Sequence, residues 1–181
     1  MTDYKDLNTA ARILLGPGPS TADPRVLRAM AQPLVGHLDP QFIALMNENQ
    51  ELLRFVFQTR NELTIPVSGT GSASMEASMC NFIEPGDSVV IGVNGYFGER
   101  LSDMASRYGA EVRRLERPWG EVFDPGEFEA ELKRQPAKLI GVVHAETSTG
   151  AMQPMAGLAD VAHQHGALLV MDCVTSLSGM P

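Results

Sequence analysis

The chain has 181 residues, of which 44% are apolar, and a formal net charge of −8, which is typical of a globular protein with one sizeable core. The acidic balance argues against a nucleic-acid partner, and the lack of a long apolar run or a signal-like segment favours a cytosolic protein with no membrane partner. Two isolated cysteines and four histidines without ligand spacing predict neither a disulfide framework nor a metal site.

The first 57 residues predict an irregular segment and then two helices. Residues 1–22 are interpreted as an arm and a loop, because the run Gly16-Pro17-Gly18-Pro19-Ser20 cannot be helical. A short helix is predicted from Pro24, with Asp23 as its N-cap. A longer helix with apolar stripes is predicted from Pro40.

An apolar run, Leu63–Val67, meets a turn of small residues, Ser68–Ser72, and then a helical pattern. Strand, turn and helix in this order present free backbone N–H groups and the positive end of a helix dipole to an anion. We interpret the turn as a phosphate site, to which Thr70, Ser72 and Ser74 add hydroxyl donors. The local sequence leaves one alternative open, an ordinary turn in which a Ser side chain caps the helix.

Strands and helices alternate over the rest of the chain. The predicted strands are Ser88–Gly92, Val112–Leu115, Lys138–His144 and Ala167–Met171. Three helices are predicted. The first follows the loop Val93–Gly98 and ends at Tyr108, and the third spans Gly157–Gln164. The second has Asp124 as its N-cap and Glu127 at its third position. Val112–Leu115 is the most polar strand and is expected near an edge. The alternation predicts an α/β fold, a mostly parallel sheet with helices on both faces.

Polar and aromatic residues follow several of these strands. Ligands of such sheets bind beyond the carboxyl ends of the strands. The turn Ser68–Ser72 follows the first strand, Phe97 lies in the loop after the second, and Glu146 to Ser148 follow the fourth. The fifth strand ends at Asp172. We therefore expect these groups to lie near one another.

Asp172 follows four apolar residues. A carboxylate at the end of a buried strand costs free energy unless it meets a cation or several donors. One alternative is that Asp172 caps the following turn, Cys173–Ser176. A phosphate site and an aromatic ring at Phe97 on neighbouring strands favour instead a cationic ring between them.

Two nucleotide-binding motifs do not fit the turn. The third glycine of a G-x-G-x-x-G pattern is replaced by Ser74, and the next strand closes with Ile91-Gly92 rather than an acidic residue. No Gly-Lys-Ser/Thr follows the turn, which excludes a P-loop.

Seven motifs lie in order along the chain. They are Leu15-Gly16-Pro17-Gly18-Pro19-Ser20, Phe57-Gln58-Thr59-Arg60-Asn61, Ser68-Gly69-Thr70-Gly71-Ser72, Glu84-Pro85-Gly86-Asp87, Asn94-Gly95-Tyr96-Phe97-Gly98, Glu146-Thr147-Ser148-Thr149-Gly150 and Val170-Met171-Asp172-Cys173-Val174. Together they resemble the alanine–glyoxylate and serine–pyruvate aminotransferases, which are class V pyridoxal-phosphate enzymes of fold type I. The resemblance implies that residues 1–22 are an arm and substrate loop. It further implies that residues 23–181 are the N-terminal part of the large cofactor-binding domain.

The resemblance also implies how pyridoxal 5′-phosphate is held. Thr70, Gly71 and Ser72 would bind its phosphate. Phe97 occupies the position of an aromatic residue, often Trp, that stacks on the pyridine ring in the family. Val174 would pack on the other face of the ring.

Three further roles follow from the resemblance. Asp172 would pair with the protonated ring nitrogen and so keep the ring an electron sink. Thr147 would hydrogen-bond near the ring hydroxyl or the substrate carboxylate, and Gly18 would help to line the substrate pocket.

The Schiff-base lysine of the family lies downstream of Asp172, where this chain has no lysine. The lysines present, Lys5, Lys133 and Lys138, are not in a position to replace it. The sequence thus resembles the first half of an aminotransferase. We expect the isolated chain to be inactive and poorly stable, because absent strands would leave apolar sheet edges exposed.

The function that the resemblance implies is transamination from alanine or serine to a 2-oxo acid, glyoxylate or pyruvate, by a homodimer. Two alternatives stay open. One is other class V chemistry, such as aminoethylphosphonate transamination or a lyase reaction. The other is a truncated homologue that binds without catalysis, because the lysine is missing from this chain.

Overall fold

A computed structural model describes Lys5 and residues 7–180. The chain forms two compact units, one reaching to Ile43 and one beginning at Ala44. The arm and loop predicted over residues 1–22 lie partly outside the described residues, and the predicted boundary between residues 22 and 23 stays a prediction.

Two helices lie before the turn Ser68–Ser72, and both begin where the sequence predicts. Helix α1 spans Pro24–Met30, and the Asp23 carboxylate caps it by accepting a hydrogen bond from the Arg25 N–H at 2.7 Å. Helix α2 spans Pro40–Val56. An aspartate precedes the proline of each helix, and Pro supplies a first helical position that needs no N–H donor.

The prediction of a strand over Leu63–Val67 is wrong. The segment is irregular, and Leu63 is 80% exposed. A parallel strand exists only where a neighbour supplies its hydrogen bonds, and none of the described strands pairs with this segment. The apolar run alone therefore does not make it a strand.

Six strands and four further helices follow in the described residues after this segment. The strands are β1 (Ser88–Val93), β2 (Glu111–Glu116), β3 (Leu139–Val143), β4 (Ala145–Glu146), β5 (Ala151–Met152) and β6 (Leu168–Asp172). The helices are α3 (Gly71–Phe82), α4 (Tyr96–Arg107), α5 (Pro125–Arg134) and α6 (Leu158–Gln164). Four parallel strands form one sheet in the order β2-β1-β3-β6. The two-residue strands β4 and β5 form a small antiparallel hairpin that the sequence analysis does not predict.

Helices cover both faces of the sheet, as predicted. On one face, Val89 and Ile91 pack in a cluster with Met75 and Met79 of α3 and with residues of α4. On the other face, Val90 packs in a cluster with residues of α5 and α6. Alternate residues of β1 thus enter opposite cores, which is why the strand reads as a continuous apolar run.

The outer strands differ in character. β2 is polar and pairs only with β1, which confirms its predicted place at an edge. β6 is apolar and forms the other edge, and Leu168 and Met171 on it are 43% and 40% exposed. In the described part of the chain, no helix is both long enough and apolar enough to span a membrane.

Candidate functional site

A cavity of about 170 Å³ collects most of the residues that the sequence analysis selects. Its lining includes Gly71, Ser72, Phe97, Thr147, Asp172 and Val174. The other lining residues are Met75, Val143, Ala145 and Thr175. These residues come from the start of α3, the start of α4, the end of β3 with the β4–β5 hairpin, and the end of β6. The fold thus brings together residues that are up to about 100 positions apart in the chain.

The N-terminus of α3 enters this cavity with free donors. Its N-cap is Thr70, whose side chain makes no capping hydrogen bond, so the alternative of a Ser cap is wrong. Among the described residues, the N–H groups of Gly71 and Ser72 have no protein acceptor, while the Ala73 N–H donates to the Thr70 carbonyl at 2.8 Å. Unpaired amides at the positive end of a helix dipole are suited to an anion.

Asp172 combines the two roles that its sequence position suggests. Its Oδ1 accepts a hydrogen bond from the Val174 N–H at 3.0 Å, so the side chain does cap the following turn. Within the described residues, Oδ2 accepts no hydrogen bond. The carboxylate lines the cavity, and one of its oxygens is available to a donor on a ligand.

Thr175 is a lining residue that the sequence analysis does not select. Its hydroxyl hydrogen-bonds with that of Thr147, so the turn after β6 and the turn between β4 and β5 meet at the cavity. The two residues are 28 positions apart, and no local sequence pattern predicts their contact. Thr175 follows Asp172 by three residues, and that short spacing is the one available signal.

Glu146 lies beside Phe97, as the sequence analysis expects, but the hydrogen bonds that it makes there are not predicted. It is 1% exposed and accepts hydrogen bonds from the N–H groups of Phe97 and Gly98. The signal in the sequence is an acidic residue two positions after the predicted buried strand Lys138–His144, since such a residue requires several donors if it stays charged.

The lysines Lys133 and Lys138 lie away from the cavity. Lys133 pairs with Glu129 at 2.7 Å, Lys138 pairs with Asp87, and neither lysine lines the cavity. Gly18 belongs to the first compact unit, so its role in a substrate pocket stays a prediction.

Cys173 is the residue next to Asp172. Burial, and then the negative charge of Asp172, raises the pKa of the Cys173 thiol. The thiol is therefore protonated at neutral pH and is a poor nucleophile.

The family described as aminotransferase class V matches residues 13–181. An alanine–glyoxylate aminotransferase from Nostoc sp. has a solved structure that superimposes with a TM-score of 0.96 at 56% identity. The match covers 99% of this chain and 48% of that one. The (S)-ureidoglycine–glyoxylate transaminase of Bacillus subtilis is 42% identical over 99% of this chain and 43% of its own length. The alanine–glyoxylate aminotransferase of Mus musculus is 41% identical over 98% of this chain and 43% of its own.

These similarities confirm the predicted fold class, which is α/β of fold type I. The chain spans less than half the length of the curated relatives it matches. The similarity therefore concerns the part of each relative that this chain matches, and the cavity lies within the matched residues.

Proposed function

Since the chain belongs to the class V aminotransferase family, we propose that the full-length gene product is a transaminase that uses pyridoxal 5′-phosphate. One observation carries the proposal: six residues selected for this cofactor from sequence line a single cavity. The cavity offers an anion site, an aromatic ring and a carboxylate, which match the phosphate, the pyridine face and the ring nitrogen of the cofactor.

The residues of the cavity fit this group chemically. The unpaired N–H groups of Gly71 and Ser72, with the hydroxyl groups of Thr70 and Ser72, would hold the phosphate. The half-buried Phe97 ring and the Val174 side chain would bound the two faces of the pyridine ring.

Asp172 and Thr147 would bind the polar groups of the cofactor ring and of the substrate. When bound, pyridoxal phosphate supplies an electron sink for the carbanion formed at the substrate α-carbon. Asp172 would hold a proton on the ring nitrogen, and its contact with the Val174 N–H keeps the carboxylate in place for this role. Thr147 would donate a hydrogen bond to the ring hydroxyl or to the substrate carboxylate, with Thr175 orienting its hydroxyl group.

Glyoxylate is the acceptor that we propose, because it appears in the names of both curated relatives. The amino donor is proposed to be a small amino compound. Alanine, serine and (S)-ureidoglycine are the candidates, the last on the strength of 42% identity to the B. subtilis enzyme.

The test is a donor and acceptor screen with the full-length gene product. We expect pyridoxal phosphate to bind with a visible absorption band, and glycine to form from glyoxylate with at least one of the three donors. Aminoethylphosphonate serves as the comparison donor for other class V chemistry. Absence of the absorption band would refute the proposal. A preference for aminoethylphosphonate would contradict the proposed donors and favour aminoethylphosphonate transamination.

Two further properties are part of the proposal. The protein is expected to act as a homodimer, as the family resemblance implies, and to be located in the cytosol, the compartment that the sequence analysis favours. Support comes from exposed apolar side chains on α2, including Phe55 at 82%. Sedimentation analysis of the full-length gene product gives the oligomeric state directly.

A further inference from the structure

The buried carboxylate of Glu146 ties the β4–β5 hairpin to the first turn of α4. Its Oε2 accepts hydrogen bonds from the N–H groups of Phe97 and Gly98, each at 3.1 Å. Its Oε1 accepts from the Ser148 N–H at 3.1 Å and from the Ser148 hydroxyl at 2.6 Å. No Lys or Arg of the described chain forms an ion pair with Glu146. Four donors and the positive end of the α4 dipole therefore stabilise its charge.

Helix α4 has no local side-chain cap. Its N-cap is Gly95, which has no side chain to accept a hydrogen bond. A Cβ atom at this position would lie 2.3 Å from the Glu146 Cγ, so a capping residue such as Ser or Asp would displace the glutamate. The Tyr96 N–H donates to the Ser148 hydroxyl at 2.9 Å. The segment from Glu146 to Ser148 thus satisfies all three N–H groups at the start of α4.

This remote cap joins two walls of the cavity. Phe97 is the second residue of α4, and its side chain lines the cavity. Ala145 and Thr147, the chain neighbours of Glu146, line it as well, whereas Glu146 itself does not. The hydrogen bond from the Phe97 N–H to Glu146 therefore fixes the position of Phe97, on one side of the cavity, relative to the hairpin residues on another side.

We propose that Glu146 is a positioning residue, which acts through Phe97 to hold the aromatic side chain against the cofactor ring. The inference rests on the proposed function, because it assigns Phe97 to the ring of pyridoxal phosphate. Glu146→Gln keeps the size of the side chain but replaces one acceptor oxygen with a donor group. At least one of the four hydrogen bonds is then lost, together with the charge that complements the helix dipole.

A double-mutant cycle on the full-length gene product separates positioning from general stability. The readout is the dissociation constant of pyridoxal phosphate, and binding is monitored by the visible circular dichroism of the bound cofactor. We expect E146Q to weaken binding about tenfold, the change expected for a lost charge-assisted hydrogen bond. In a Phe97→Ala background the same substitution is expected to change binding less than about twofold, because E146Q affects binding through the Phe97 side chain, which is then absent.

Glu127→Gln is the matched control. Glu127 also caps a helix, accepting from the Asp124 N–H at 2.8 Å at the start of α5, but it does not line the cavity. E127Q is expected to leave cofactor affinity unchanged.

A second readout needs no cofactor. Amide hydrogen exchange at Phe97 and Gly98 in the cofactor-free protein is expected to speed up about tenfold in E146Q and to stay unchanged in E127Q.

Two outcomes would overturn the inference while leaving the proposed function intact. One is a wild type that binds pyridoxal phosphate together with an E146Q variant that binds equally well. The other is an E146Q effect of equal size with and without Phe97. A wild type that does not bind the cofactor would refute the proposed function and the positioning role together, even if amide exchange confirmed the cap.

Discussion

A Cβ atom added at Gly71 would lie 3.1 Å from the Cγ2 atom of Val174. The contact joins the first residue of α3 to the turn that follows β6, and both residues line the cavity. Their close approach explains why a glycine begins this helix, since any side chain here would meet Val174 or enter the cavity.

Gly71→Ala is expected to weaken pyridoxal phosphate binding about tenfold while it changes the free energy of unfolding by less than about 1 kcal/mol. Val174 is 70% exposed and can move aside, and the better helix propensity of Ala offsets the cost of that movement. Cofactor titration and urea unfolding of the full-length gene product measure the two effects. Val174→Ala alone is also expected to weaken binding, and in the double variant it provides the space again, so the two losses should be smaller than additive; additive losses would show that contact with Val174 is not the cause.

Asp172→Asn tests the role of the carboxylate charge. Asn keeps the size of the side chain and can still accept the hydrogen bond from the Val174 N–H, which in the native protein is 3.0 Å long. Loss of the charge is expected to lower kcat/KM about 100-fold, because the charge that holds a proton on the ring nitrogen is removed. The measurement is transamination to glyoxylate by the full-length gene product.

The matched control for this charge is Asp103→Asn. Asp103 lies on α4 and pairs with Arg107 at the surface, at 2.8 Å. Its substitution is expected to leave kcat/KM within about twofold of the native value, since exposed ion pairs contribute little. A similar loss of activity in both variants would contradict the assignment of Asp172 to the ring nitrogen.

Local signals in the sequence predict the helices well. Asp124 and Glu127 form the expected capping box at the start of α5, and Pro24 and Pro40 begin their helices as predicted. These features depend on residues within four positions of one another. Leu63–Val67 is different, because a strand also depends on a partner that no local pattern reveals.

The site residues also fall into two groups, those that the sequence could select and those that only the fold reveals. Asp172 and Phe97 could be selected because Asp172 ends one strand and Phe97 follows another, and the carboxyl ends of parallel strands share one edge of the sheet. Thr175 and the capping role of Glu146 could not be derived. Glu146 meets the Phe97 N–H across 49 positions, so only the folded sheet brings the two together.

The pair of Asp87 and Lys138 gives stability that depends on pH. The hydrogen bond from Lys138, and then that from the Glu84 N–H, lowers the pKa of Asp87 below its ordinary value of 3.8. The hydrogen bond to Asp87 in turn raises the pKa of Lys138 above 10.5. A carboxyl group with a lowered pKa stabilises the fold above its unfolded pKa and loses that effect as the pH falls through the folded value.

Asp87→Asn is therefore expected to lower the urea midpoint of the full-length gene product at pH 7. The difference from the native protein should shrink as the pH falls below 3.8, and it should vanish as the native carboxyl group becomes neutral below its lowered pKa. Lys138→Gln removes the same pair from the other side and should show the same acid dependence. A difference in midpoint that stays constant between pH 7 and pH 2.5 would show that the pair does not contribute through its charge.

Residues 1–181 produced alone are expected to associate and to lack a sharp thermal transition. Leu63 and Phe55 are more than three-quarters exposed, and the apolar strand β6 forms an edge of the sheet. Open apolar edges and patches of this kind bind one another in water. Sedimentation and calorimetry of this chain, compared with the full-length gene product, measure the effect. A cooperative transition in a monomeric sample of residues 1–181 would contradict the expectation, and it would mean that the two cores on either side of the sheet are sufficient to fold the chain.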